Sequence, residues 1–203
     1  MRAMAFRMIL GYDIVMEIIS SIAAFLISYY AHRAYAATKK KSFLLLQSGF
    51  ISAGVGLILD SLLLSAAIFS KIPRLTATGY SAYFILTIIS YCLILSSYAA
   101  DKLERSGAYA ASILPLIGFG ALPEGILLTL SGAIMIQLGV NFSLKRSADS
   151  LLVFLAFALI FLGHLSFMLQ ALRFPGLLIA GHVFRFLGFI SFLILLVRVV
   201  KPS

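Results

Sequence analysis

The chain has 203 residues, of which 62% are hydrophobic and 11% charged, with a formal net charge of +9 from 16 Lys and Arg against 7 Asp and Glu. A soluble domain carries about 25% charged and about 45–50% apolar residues, and its surface needs polar cover, so this composition excludes a water-soluble fold of this length. The surplus basic residues lie mostly between apolar runs, where anionic lipid headgroups attract them, and do not point to nucleic acid.

Apolar runs of the length needed to cross about 30 Å of hydrocarbon recur along the chain. The first covers 8–31. Arg2 and Arg7 precede it as in a secretory leader, but Asp13 and Glu17 interrupt it and no small-residue cleavage site follows, so it is read as a helix. A basic segment from His32 to Lys41 leads into a second helix over 42–69, which stops at Lys71 and Pro73. A third covers 79–100. The stretch 107–144, with Pro115, Gly118, Gly120, Pro123 and Gly125, is read as two helices, 108–122 and 125–144, the former short for a full crossing. The sixth covers 150–172 and the seventh 176–200, joined by a tight turn at Pro175 and Gly176. The expected fold is a single all-α membrane domain over 1–203, a bundle of about seven transmembrane helices with short loops.

Lys and Arg favour the cytoplasmic side. Seven helices with the N-terminus outside and the C-terminus cytoplasmic put Arg33, Lys39, Lys40, Lys41, Lys102, Arg105, Lys145, Arg146, Arg198 and Lys201 inside, against Arg2, Arg7, Lys71, Arg74 and Arg173 outside. Six helices would move the loops after 143 to the other face and erase that bias. The reading is therefore a multi-pass protein of the cell membrane. The tetrapeptide Gly-Phe-Ile-Ser occurs at 49–52 and again at 188–191, too short a repeat to establish internal symmetry.

Ionisable groups in hydrocarbon cost several kcal/mol each, so each asks for a partner or a purpose. At 1.5 Å per residue, Glu17, Asp60, His164 and Arg185 all fall roughly 12–14 Å below the outer boundary. Asp13 and His182 lie one turn further out, on the faces of Glu17 and Arg185. The planar donor fork of Arg185 suits Glu17 or Asp60. Ser48, Ser52, Gly56 and Asp60 recur at i+4 spacing as a small-residue stripe, and a contact between the first two helices along it would bring Glu17 to Asp60. Two readings stand: buried pairs that fix helix packing, or a pathway for an ion, a proton or a small solute.

His164 and His182 occupy adjacent helices at similar depth. Facing imidazoles hold haem iron, and imidazole also suits transition metals. Neighbouring helices about 8–10 Å apart leave little room for a macrocycle, however, so hydrogen-bonded histidines without a cofactor are the first expectation and haem b or a metal the alternative. Cys92, the sole cysteine, excludes an intrachain disulfide and a CxxC pair. No HExxH, GxSxG, phosphate loop or dinucleotide fingerprint is present, which argues against an enzyme, and the seventh helix has no central lysine for retinal.

Three functional expectations follow. The first is a non-enzymatic accessory or structural subunit that packs against other membrane proteins in the bilayer. The second is a small transporter or proton-coupled carrier using Glu17, Asp60 and Arg185, and the third a redox subunit with haem or metal at His164 and His182.

Overall fold

A computed structural model describes residues 2–103, 123–170 and 174–200. The described residues form six helices and no strands: α1 (Arg2–Thr38), α2 (Lys41–Ser70), α3 (Pro73–Leu103), α4 (Pro123–Lys145), α5 (Ala148–Leu169) and α6 (Pro175–Val200). All six are long and apolar enough to cross a membrane. The expected helix over 108–122 and the turn residue Arg173 lie outside the described residues.

The helices overrun the apolar segments because local propensity continues past them. The segment after 31, expected as a connection, carries Ala34, Ala36, Ala37 and Arg33, strong helix formers, and α1 extends to Thr38. Its stop is Lys39, which turns to φ 58° and donates its N–H to the Tyr35 carbonyl at 2.7 Å. The α2–α3 turn repeats this device with Lys71 at φ 59°, and α3 starts at once on Pro73, whose fixed φ and missing N–H suit the first helical position. Arg146 (φ 47°) ends α4. A reciprocal Ser147–Ser150 capping box then starts α5. Each residue in the left-handed region is an exposed basic side chain that can reach lipid headgroups, where glycine could not.

The helices pack in chain order, α1 on α2, α2 on α3, α3 on α4, α4 on α5, α5 on α6, with α6 closing back on α1. Side-chain contacts set their directions. Ser21 Oγ donates to the Gly54 carbonyl at 3.0 Å, and Ser52 Oγ to that of Leu86 at 2.8 Å, so α1, α2 and α3 alternate. Tyr80, near the start of α3, meets Glu124, at the start of α4, so these two run parallel. Thus α1, α3, α4 and α6 all begin at one end of the bundle, here the site end. The exposed Lys39, Lys40, Lys145 and Arg146 share the opposite, basic end.

Large apolar side chains such as Val15, Ile22, Leu62, Ile85 and Ile136 face outward and are more than half exposed. A perimeter of this kind is stable in lipid and aggregates in water. Inside, small residues let the backbones approach. A Cβ at Gly188 would lie 2.7 Å from the Ala156 carbonyl oxygen and 2.8 Å from Ile160 Cγ1, whereas one at Gly11 would meet nothing within 4 Å. Gly188→Ala should therefore cost about 1–3 kcal/mol through overpacking of α5 against α6. The measurement is the melting temperature in mild detergent, which should fall for Gly188→Ala and hold or rise slightly for Gly11→Ala.

Candidate functional site

At the site end, five of the six helices direct ionisable groups into the bundle and α3 adds tyrosines. α6 contributes His182 and Arg185, three residues apart on one face and both buried. Arg185 Nη2–H donates to His182 Nδ1 at 2.9 Å, and Nη1–H to the Tyr83 hydroxyl oxygen at 3.2 Å. Its guanidinium also stands over the rings of Phe167 and Tyr83, 5.1 and 5.9 Å from their centroids. A guanidinium can only donate, so His182 Nδ1 must accept, and the imidazole proton must sit on Nε2. That proton goes to Asp13 Oδ1 at 2.6 Å. The first chain of groups is thus Asp13, His182, Arg185, Tyr83.

A second chain lies beside it. Tyr91, buried on α3, donates its hydroxyl to His164 Nε2 at 2.5 Å. His164 Nδ1–H donates to Glu124 Oε2 at 3.0 Å, and Tyr80 donates to Glu124 Oε1 at 3.1 Å. Pro123 starts α4, so Glu124 stands in the helix's first turn, where a carboxylate is favoured by the free backbone N–H groups. Phe167 lies between the chains, its ring 6.3 Å from that of His164 and 5.0 Å from that of His182.

The residues expected from depth converge here. Glu17 is buried and its carboxyl comes within hydrogen-bonding reach of the half-buried Asp60, close to Arg185. Asp60 packs against Gly79, where a Cβ would be 2.9 Å from its Oδ1. The expected pairing of Arg185 with Glu17 or Asp60 is not what forms. Among the described residues, the carboxylates that meet a basic side chain are Glu124, on His164, and Asp13, on His182, and Arg185 has only neutral hydrogen-bond partners.

One further expectation is corrected. The α2 stripe does not face α1 throughout: Ser52 and Gly56 pack on α3, Ser48 is exposed, and Gly49 takes the close contact with Ile94 and the Ser90 carbonyl. Gly54, on another face, meets Phe25 and Ser21 of α1, and this contact carries Glu17 to Asp60. His164 and His182 are hydrogen-bonded to protein groups, as the first of the two readings for them expects. All four ring nitrogens are engaged with Tyr91, Glu124, Asp13 and Arg185, and the described residues hold no cluster of three or more His, Cys, Asp or Glu suited to a metal.

Sequence reasoning missed Tyr80, Tyr83, Tyr91 and the inward role of Glu124. A signal existed for the tyrosines: Tyr80, Tyr83, Thr87, Ser90 and Tyr91 follow the helical period and mark one hydroxyl-bearing face of α3. Toward the basic end the polar layer stops at Phe50, Phe157 and Phe192, whose rings pack at 5.1 and 5.8 Å about Phe192. Among the described residues, the two hydrogen-bond chains meet solvent through Asp13 and Glu124, whose side chains are 24% and 16% exposed against 2% and 1% for their imidazole partners. No family model, curated protein or solved structure matches this chain.

The donors and acceptors fix opposite tautomers: the Nε2–H form for His182 and, with Glu124 ionised, the Nδ1–H form for His164. Nitrogen-15 spectra of histidine-labelled protein in detergent should show one resonance pattern of each kind. Two identical tautomers would contradict the two chains of hydrogen bonds.

Proposed function

We propose that this multi-pass helical membrane protein is a small proton-coupled carrier whose working residues are Asp13, Glu17, Asp60, Glu124, His164, His182 and Arg185. The observation that carries this reading is Arg185 itself. A charge buried to fix packing is best met by an opposite charge, because an unpaired buried ion costs several kcal/mol. Arg185 is 5% exposed, yet its hydrogen-bond partners among the described residues are neutral, while ionisable groups lead from it to the site end. That arrangement suits movement of protons and charge better than static packing.

The accessory-subunit reading draws on helix faces rich in Gly and Ser. In this bundle Gly49, Gly54, Gly56, Gly163, Gly181 and Gly188 all face helices of the same chain. The outward faces are large aliphatic side chains suited to lipid.

The parallel run of α3 and α4 supports a seventh crossing. Leu103 and Pro123 terminate on opposite ends of the bundle. Seven crossings with the basic end inside place the N-terminus and the site at the outer face and the C-terminus in the cytoplasm of the cell membrane. Single cysteines at positions 40 and 145, in a Cys92→Ser background, should then label from the same face.

In proteoliposomes held in chloride with the membrane potential clamped, an acid pulse outside should acidify the lumen faster than in empty vesicles. Asp60→Asn removes a half-buried charged hydrogen-bonding group, a loss of about 1.5–3 kcal/mol, so flux should fall about tenfold or more, with helicity and elution volume unchanged. Wild-type flux equal to that of empty vesicles would remove the carrier reading.

A further inference from the structure

The helices α1–α3 and α4–α6 repeat one another in space. At one constant offset α1 and α2 fall on α4 and α5: Glu17 on Glu124, Ile27 on Ile134, Lys39 on Arg146, Phe50 on Phe157 and Gly56 on Gly163. At a slightly smaller offset α3 falls on α6, with Pro73 on Pro175, Gly79 on Gly181 and Tyr83 on Arg185. The contacts follow the same correspondence. Lys39 and Arg146 take the same left-handed turn and donate to the carbonyls of Tyr35 and Phe142, which are themselves equivalent. Gly56 lies against the backbone of Tyr83, and Gly163 against that of Arg185. Ser20, Ala24, Ile27 and Ala31 are buried, and so are their counterparts Leu127, Ser131, Ile134 and Leu138. The repeated Gly-Phe-Ile-Ser takes no part in this relation, because α2 corresponds to α5 and not to α6.

α1 and α4 both begin at the site end, so the operation that exchanges the two three-helix units is a twofold rotation about an axis along the bundle. Tyr83 and Arg185 exchange under it and yet touch, which places their contact on the axis. Contacts within and between the units differ in kind. Gly49, Gly54, Gly56, Gly163, Gly181 and Gly188 each bring a helix against one of its own unit, and none of them faces the seam. Side-chain hydrogen bonds cross the seam instead: Asp13–His182 joins α1 to α6, and Tyr80–Glu124 joins α3 to α4. The axis relates these two, since Tyr80 falls on His182, and Glu124 on Glu17, one turn from Asp13. Both lie outermost, and their carboxylates meet solvent. Nearer the basic end the crossing contact is apolar, Phe50 on Phe192.

We propose that the two three-helix units move as bodies against one another, parting at the site end about a pivot in the aromatic layer and opening a passage along the axis toward Arg185. Water replaces both outer hydrogen bonds as the seam opens, so hydration offsets their rupture. Parting the rings of Phe50 and Phe192 would wet apolar surface with no such return, so the layer holds. Within a unit, the close backbone approach at the glycines resists the movement of one helix alone. The units have also diverged in charge. Asp13, Glu17 and Asp60 belong to the first, whereas the second carries His164, His182 and Arg185 beside Glu124. Parting them therefore faces an acidic wall with a largely basic one. This rests on the carrier reading only for what uses the passage; the motion itself stands on the repeat and the seam.

The test is pulsed electron-spin distance measurement on the full chain in lipid nanodiscs, with label pairs in a Cys92→Ser background. Arg74 and Gly176 are equivalent, exposed positions at the site end, and Lys41 and Ala148 are equivalent, exposed positions at the basic end. Arg74→Cys with Gly176→Cys should show two distances. The longer should gain population in Tyr80→Phe, and more in the double variant Asp13→Ala, Tyr80→Phe. Lys41→Cys with Ala148→Cys should keep one distance, as should Gly11→Cys with Arg74→Cys, both in the first unit. Tyr80→Phe loses only a hydroxyl from a half-buried ring, so it carries the comparison if the double variant does not fold. One site-end distance, the same in the wild type and the variants, would overturn the proposal. So would an equal lengthening at the basic end, or a change in the pair within one unit. Two site-end distances without proton flux in vesicles would leave the moving units standing and remove the carrier. Flux with one fixed distance would do the reverse.

Discussion

The burial of one guanidinium charge at the depth of the bilayer interior organises this molecule. Arg185 cannot shed its proton and cannot reach water, so its surroundings must replace the hydration it has lost. They do so with neutral acceptors and ring faces: His182 Nδ1, the Tyr83 hydroxyl and the rings of Phe167 and Tyr83. Each substitute depends on another group. His182 accepts at Nδ1 only while its proton rests on Nε2, which requires Asp13, and Asp13 belongs to α1. One charge on α6 thereby fixes the rotation of α1, α3 and α5 about their own axes. Hydrogen bonds in such a chain also polarise one another in a medium of low dielectric.

The second chain repeats this layout without the arginine. Glu124 sits at the rim, His164 beneath it and Tyr91 deepest, and α3 supplies tyrosines to both chains. In each case a carboxyl faces the site end, an imidazole lies in the middle, and a group with one exchangeable hydrogen bond reaches inward. The aromatic layer of Phe50, Phe157 and Phe192 then closes the interior.

Depth was legible in the sequence; azimuth was not. A helix in a bilayer converts residue number to height at 1.5 Å per residue, which places Glu17, Asp60, His164 and Arg185 in one layer, and Asp13 and His182 a turn further out, before any partner is known. Which way a residue points depends on the neighbouring helix, and an apolar helix with lipid on one side and protein on the other has almost no amphipathic contrast to reveal it. Hence the Ser52–Gly56 stripe was given to α1 when it belongs to α3, and Arg185 was given a carboxylate when it takes an imidazole and a phenol. Ending one helix at 122 and starting the next at 125 leaves Glu124 between them. Proline is equally a helix starter, and in that role it sets Glu124 inside the first turn of α4. The parallel run of α3 and α4 does follow from the seven-helix count, which sends 79–100 and 125–144 in the same direction.

Along the first chain, the groups are ordered by what it costs to take them out of water. The carboxyl of Asp13, whose charge is concentrated on two oxygens, keeps the most solvent; the imidazole of His182, neutral in this arrangement, lies deeper; and the guanidinium, with a delocalised charge that water holds weakly, lies deepest. Glu17 breaks that order. It is a carboxyl as buried as the arginine, one of its oxygens has no partner, and its nearest acidic neighbour is Asp60. Two carboxyl groups in reach of each other either share a proton or repel. A structural pin would gain nothing from that choice, since a glutamine at position 17 could satisfy Asp60 at all times. Under the carrier proposal, a pair with two states is what registers the arrival of a proton, and Glu17 with Asp60 is the pair of carboxyl groups that would fill that role.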